Sequence, residues 1–171
     1  MRYLLTLLLL TLSMPASCIE ISNFKSGLAC THTRLPDGDK GGWICQPTTD
    51  VLVTDQGTCV YNGQEKRCTW MGFEFDYRDA KEGQLLQCVT STSSPVDSGN
   101  PKGIFGKDLQ SESHDVPIKS GNARFFAPQY FVFNTRKRGD PDAVIEQITS
   151  CSADGKMLFE SKFRLVFPLT N

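Results

Sequence analysis

The sequence predicts an all-β protein, a single antiparallel β-sandwich or small barrel stapled by disulfides. Three observations predict it. Clusters of Gly, Asp, Asn and Pro recur at short intervals between β-branched and aromatic runs, the spacing of a sandwich or barrel. Two runs alternate apolar and polar residues with a period of two. Seven cysteines occur in 171 residues, and an exported chain with an even usable set of cysteines is a disulfide framework.

From the N-terminus, Met1 to Leu12 carries one cation, Arg2, and then a short apolar core. That core falls short of the roughly 20 residues a bilayer span needs and reads as a signal peptide over residues 1–18. Cleavage after Cys18 places the small Ala16 at position −3. A lipid anchor on Cys18 would want an aliphatic residue where Pro15 stands, which disfavours it. Either route removes Cys18 and leaves Cys30, Cys45, Cys59, Cys68, Cys88 and Cys151 for three bridges. The exported domain is then residues 19–171, with 17 basic against 19 acidic side chains. Such a balance offers no general attraction to nucleic acid or an anionic membrane. No Asn-x-Ser/Thr occurs, so the compartment is read as periplasm, cell envelope or medium.

Strand-like runs cover 24–33, 43–46, 50–54, 58–61, 67–77, 84–92, 123–134, 143–152 and 157–168. Met71, Phe73, Phe75 and Tyr77 should face one way and Glu74 and Asp76 the other. Phe159, Phe163, Leu165 and Phe167 alternate against Glu160, Lys162 and Arg164. Asp154-Gly155 marks a tight hairpin, since both residues tolerate positive φ. Asp140-Pro141-Asp142 could cap a helix, but the β-branched run after it favours a strand. Residues 92–121, rich in Ser, Gly, Pro and Asp, read as one long polar loop.

Turn symmetry ranks the pairings. Cys30 and Cys45 flank Asp37-Gly38, Cys59 and Cys68 flank Gly63-Gln64, and Cys88 would then join Cys151. Directly opposed residues lie about 4.5 Å apart, within disulfide reach. Cys30, Trp43 and Cys88 resemble the Cys…Trp…Cys spacing of immunoglobulin domains. Leu86, however, stands where their tyrosine would, two residues before the second cysteine. The absence of Cys-x-x-Cys and the presence of only two histidines argue against zinc or a redox motif. No cofactor is expected.

Candidate chemistry is sparse. Ser113-His114-Asp115 puts triad residue types side by side, but neighbours on a strand point apart and cannot converge. Asp97-Ser98-Gly99 lacks the flanking glycines of a serine-protease motif. Glu74 and Asp76, about 7 Å apart on one strand face, have the spacing of a glycosidase pair and equally that of any wet strand surface. Arg136 to Asp140 is a basic turn that includes Arg138-Gly139-Asp140, the integrin-binding tripeptide. Arg124 to Phe133 is the most aromatic stretch; Pro128 puts it at an edge, where Tyr130 could meet a strand or sugar ring while Phe131 and Phe133 enter the core. The leading expectation is a non-catalytic exported domain that binds a protein or glycan, as inhibitors, immunity proteins and accessory envelope proteins do. The alternatives are a small hydrolase using Glu74 and Asp76 or His114, and an adhesin or host-directed effector displaying Arg138-Gly139-Asp140.

Overall fold

The computed structural model describes residues 19–31, 41–96 and 109–170, and these contain strands and turns but no helix. The expected signal peptide, the expected turn at Asp37-Gly38 and the tripeptide Asp97-Ser98-Gly99 lie outside the described residues. In chain order the strands are β1 (Glu20–Thr31), β2 (Gly42–Pro47), β3 (Asp50–Leu52), β4 (Gly57–Tyr61), β5 (Gln64–Ala80) and β6 (Leu85–Val96). They continue as β7 (Leu109–Pro117), β8 (Gly121–Val132), β9 (Arg136–Lys137), β10 (Val144–Ala153), β11 (Lys156–Val166) and β12 (Leu169–Thr170). No described helix is long and apolar enough to cross a membrane.

Two five-stranded sheets carry the fold. In the first, the long β5 is central, flanked by β1 and β4 on one side and β8 on the other, with β2 beyond β1. The second runs β3-β11-β10-β6-β7 and is antiparallel except where β3 joins β11. The expected alternation holds: Met71, Phe73, Phe75 and Tyr77 are buried, as are Phe159, Phe163, Leu165 and Phe167. Side chains from both sheets make up each of two apolar clusters, one around Phe73, Phe75, Leu86 and Phe159, the other around Met71, Ile145, Phe163 and Leu165. Truncating a buried phenylalanine of this kind costs about 3–5 kcal/mol.

Turn chemistry fixes the register. Asp154 and Gly155 both have positive φ and set Ala153 opposite Lys156. Residues 144–153 form a strand, as the β-branched run indicated. Asn62 and Gly63 also both have positive φ and set Tyr61 opposite Gln64. This turn sits one residue earlier than symmetry about Gly63-Gln64 requires, so Cys59 faces Lys66 and Cys68 faces Gly57. The expected Cys59–Cys68 bridge is therefore absent, and both are buried free thiols. Cys30–Cys45 is formed, with Cα atoms 5.6 Å apart. It is not directly opposed: Cys30 faces Trp43, and Cys45 occupies a bulge between Ile44 and Gln46. Cys88–Cys151 is a directly opposed pair with Cα atoms 4.1 Å apart. Neither bridge joins Cys30 to Cys88, which removes the immunoglobulin resemblance.

The long polar loop is corrected most. β6 extends to Val96 and β7 spans Leu109–Pro117, so much of 92–121 is sheet. Pro128 does lie on an edge strand, since among the described residues β8 pairs only with β5. Opposite it, Gly72 lets β8 approach closely: a Cβ there would fall 2.1 Å from the Ala127 carbonyl oxygen. Phe131 packs on the second cluster, whereas Phe133, just past the end of β8, is exposed rather than core.

Candidate functional site

The inward face of the second sheet is interrupted by polar residues. Register places Glu112, Thr90, Thr149 and Ser161 in one cross-strand row over β7, β6, β10 and β11. The row divides the two apolar clusters: along β11, Phe159 belongs to one, Ser161 to the row and Phe163 to the other. Thr90 and Thr149 hydroxyls satisfy each other at 2.9 Å. Between the sheets, the Gln147 amide donates to Gln129 Oε1 at 2.7 Å. Glu112 Oε2 and Ser161 Oγ are buried without a hydrogen-bond partner. Such an atom costs about 1–3 kcal/mol and calls for an explanation.

β7 and β8 are edges of opposite sheets, and between them a cleft of about 130 Å³ reaches the interior. Its walls are Phe73, Leu86, Val116, Phe125 and Ala127 with the Cys88–Cys151 bridge; its polar end is His114, Gln129 and Thr149. His114 stands opposite Cys88 and so shares the inward face. Its Nδ1 is buried without a partner. Burial pushes the imidazole pKa down, against an opposing pull from Asp115, and burial pushes the Glu112 carboxyl up. Burial thus favours the uncharged form of the His114 ring.

The other sequence candidates are spread over the molecule. Ser113 and Asp115 are exposed on the outward face, so the Ser-His-Asp tripeptide does not converge. Glu74 and Asp76 border a second, open cleft of about 230 Å³ with Asn23, Lys25 and Arg124. Glu74 accepts the Ile44 N–H at 2.9 Å, pairs with Arg124, and lies 3.5 Å from Lys25. Burial pushes its carboxyl up, but the Ile44 N–H, Arg124 and Lys25 together hold it below the usual range. Asp76 accepts from Asn23 at 2.7 Å. Glu74 is held in an ion pair and Asp76 by a hydrogen bond from a neutral amide, which is structural bracing of β1, β2 and β8 on β5.

Tyr130 sits edge-on to Trp70 and donates to the Val60 carbonyl at 2.6 Å. Arg136 pairs with Asp142 at 3.1 Å and covers the Phe167 ring at 4.7 Å. In the basic turn Asp140 accepts the Lys137 N–H at 2.8 Å, while Arg138 is exposed. The aspartate of the tripeptide is thus spent on its own turn. Sequence reading singled out His114 but missed Glu112, Val116, Phe125 and Gln129. No apolar alternation in Ser111-Glu112-Ser113-His114-Asp115-Val116 signals this strand, so only its pairing with β6 turns every second residue inward.

No family model, curated protein or solved structure matches this chain.

Proposed function

We propose that this chain is an exported, disulfide-stabilised binding domain that takes a small molecule into the cleft between β7 and β8. The observation that carries the reading is the cleft itself, about 130 Å³ between two edge strands, with Phe73, Leu86, Val116, Phe125 and Ala127 as walls and His114, Gln129 and Thr149 as its polar residues. A site with mainly hydrophobic walls and a few placed polar groups is the usual form of a small-molecule pocket. Two disulfides fit an oxidising compartment, and the short apolar run after Arg2 supports periplasm or extracellular medium as that compartment. Glu74 and Asp76 are engaged in holding strands together and Asp140 in closing its own turn, which supports binding over hydrolysis or adhesion.

The test is a screen of small uncharged molecules by ligand-observed NMR, run on the oxidised protein and on Val116→Phe, which fills the cleft. Hits that disappear in the folded variant support the reading. No hits, or hits equally strong in both proteins, refute it.

A further inference from the structure

We propose that Cys59 and Cys68 form a two-coordinate site for copper(I), a soft monovalent cation held between two thiolates. The site lies on the outward face of the first sheet and stands independently of the cleft reading.

Register brings the sulfurs together. β4 is a five-residue edge strand, and its pairing with β5 sets Cys59 across from Lys66 and Gly57 across from Cys68. The two cysteines therefore share one face as diagonal neighbours. Their sulfurs touch: the Cys68 thiol donates to Cys59 Sγ, and the Cys59 thiol donates to the Lys66 carbonyl at 3.8 Å. Cys68 is 0% exposed and Cys59 5%.

Two aromatic side chains roof this corner. Gly57 has no Cβ, and the Trp70 indole lies over it, with Cδ1 3.3 Å from where a Cβ would stand. The indole N–H donates to the Thr58 carbonyl at 3.0 Å. Tyr130 comes from β8 on the far side of β5, reaches across to the Val60 carbonyl at 2.6 Å, and meets Trp70 edge-on. Burial, and then the neighbouring Cys59 and Cys68, push its hydroxyl pKa up.

Donor chemistry selects the cation. Calcium and magnesium want oxygen ligands, whereas thiolates select copper(I), zinc or iron–sulfur clusters. Zinc and the clusters call for about three or four protein ligands. Among the described residues no group of three or more His, Cys, Asp and Glu could hold a metal. Two sulfurs in a dry corner leave copper(I). Each ion displaces two thiol protons: two S–H bonds break, two S–Cu bonds form, both protons leave to water, and no atom changes oxidation state. The complex carries one negative charge. Lys66 stands across from Cys59, and the Arg67 charge already pulls the Cys68 thiol down against its burial. Entry is by local opening of the β4–β5 hairpin, since among the described residues β4 pairs only with β5.

The experiment titrates copper(I), delivered without oxygen as its bicinchoninate complex, into the protein with both disulfides intact. One equivalent should transfer, and an excess of zinc(II) should not displace it. Copper-edge X-ray absorption should show two sulfur neighbours. Because two protons are released, apparent affinity should rise about a hundredfold per pH unit near neutrality. Cys59→Ser and Cys68→Ser, each checked for its fold by near-UV circular dichroism, should take up none. The sulfur count and the pH slope come from the unmodified protein, so they decide the matter even where a variant does not fold. No transfer, displacement by zinc(II), nitrogen or oxygen neighbours, an affinity indifferent to pH, or undiminished uptake in either folded variant would each overturn the site.

Discussion

Replacing Glu74 separates bracing from chemistry on the outward face of β5. Its side chain is 8% exposed, whereas Arg124 and Lys25 are 46% and 53% exposed. The two cations are half in water, so each attraction is discounted to the surface range of about 0–1 kcal/mol. The Ile44 N–H is different, because Ile44 is 4% exposed and that donor has no water to fall back on. Glu74→Gln keeps an acceptor for it and gives up the charge, so a loss of about 1–2 kcal/mol is expected. Glu74→Ala also strands the N–H and should cost about 3 kcal/mol in total.

The pH dependence follows from the same site. The folded carboxyl titrates below its ordinary value of 4.5, so its stabilisation is full above that value and fades as pH falls through the folded pKa. Urea unfolding of the three proteins at pH 7 and pH 3.5 measures this. The gap between native protein and Glu74→Gln should shrink at the lower pH. If Glu74→Ala is no worse than Glu74→Gln, or both stay within about 0.5 kcal/mol of the native protein, the bracing role is wrong.

Gly72→Ala should destabilise by about 2–3 kcal/mol, because the added Cβ meets the Ala127 carbonyl oxygen at 2.1 Å; thermal unfolding reads this, and an unchanged midpoint would mean β8 can retreat freely. Replacing both Cys88 and Cys151 by Ala opens a loop closed across 63 positions and should cost about 4 kcal/mol, measured by denaturant unfolding. Cys59 and Cys68 are shielded, and burial pushes both thiols above their ordinary value. From Ile19 onward, an uncharged alkylating reagent at pH 8 should therefore label them slowly in the native protein. On denaturation without reductant it should label two sites, and a mass that shows none would contradict the free thiols.

Most of the architecture was legible because the inward residues of β5 and β11 are large and apolar and their neighbours are not. β7 was illegible for the opposite reason. Its inward positions include Glu112 and His114, polar residues that line the row and the cleft instead of the core, so hydrophobic alternation never announced the strand. His114 drew notice for its neighbours Ser113 and Asp115, yet its real companions come from β8, with which no local pattern connects it. The cysteine error was one of offset. Moving a hairpin turn by a single residue shifts the pairing sum by two, so Cys59 and Cys68 stay on one face as diagonal neighbours in thiol–thiol contact and do not stand directly opposite each other. The Glu74–Arg124 pair spans 50 positions, and no spacing in the chain foretells it.

The Asn62-Gly63 hairpin also bears on how oxidation proceeds. Six available sulfurs could combine in 15 ways, but four can combine in only three. A two-residue loop between adjacent strands closes in microseconds, long before an oxidant acts on the chain over seconds to hours. In the folded domain Cys59 and Cys68 are buried thiols, so a chain that folds before it is oxidised has Cys30, Cys45, Cys88 and Cys151 left to pair.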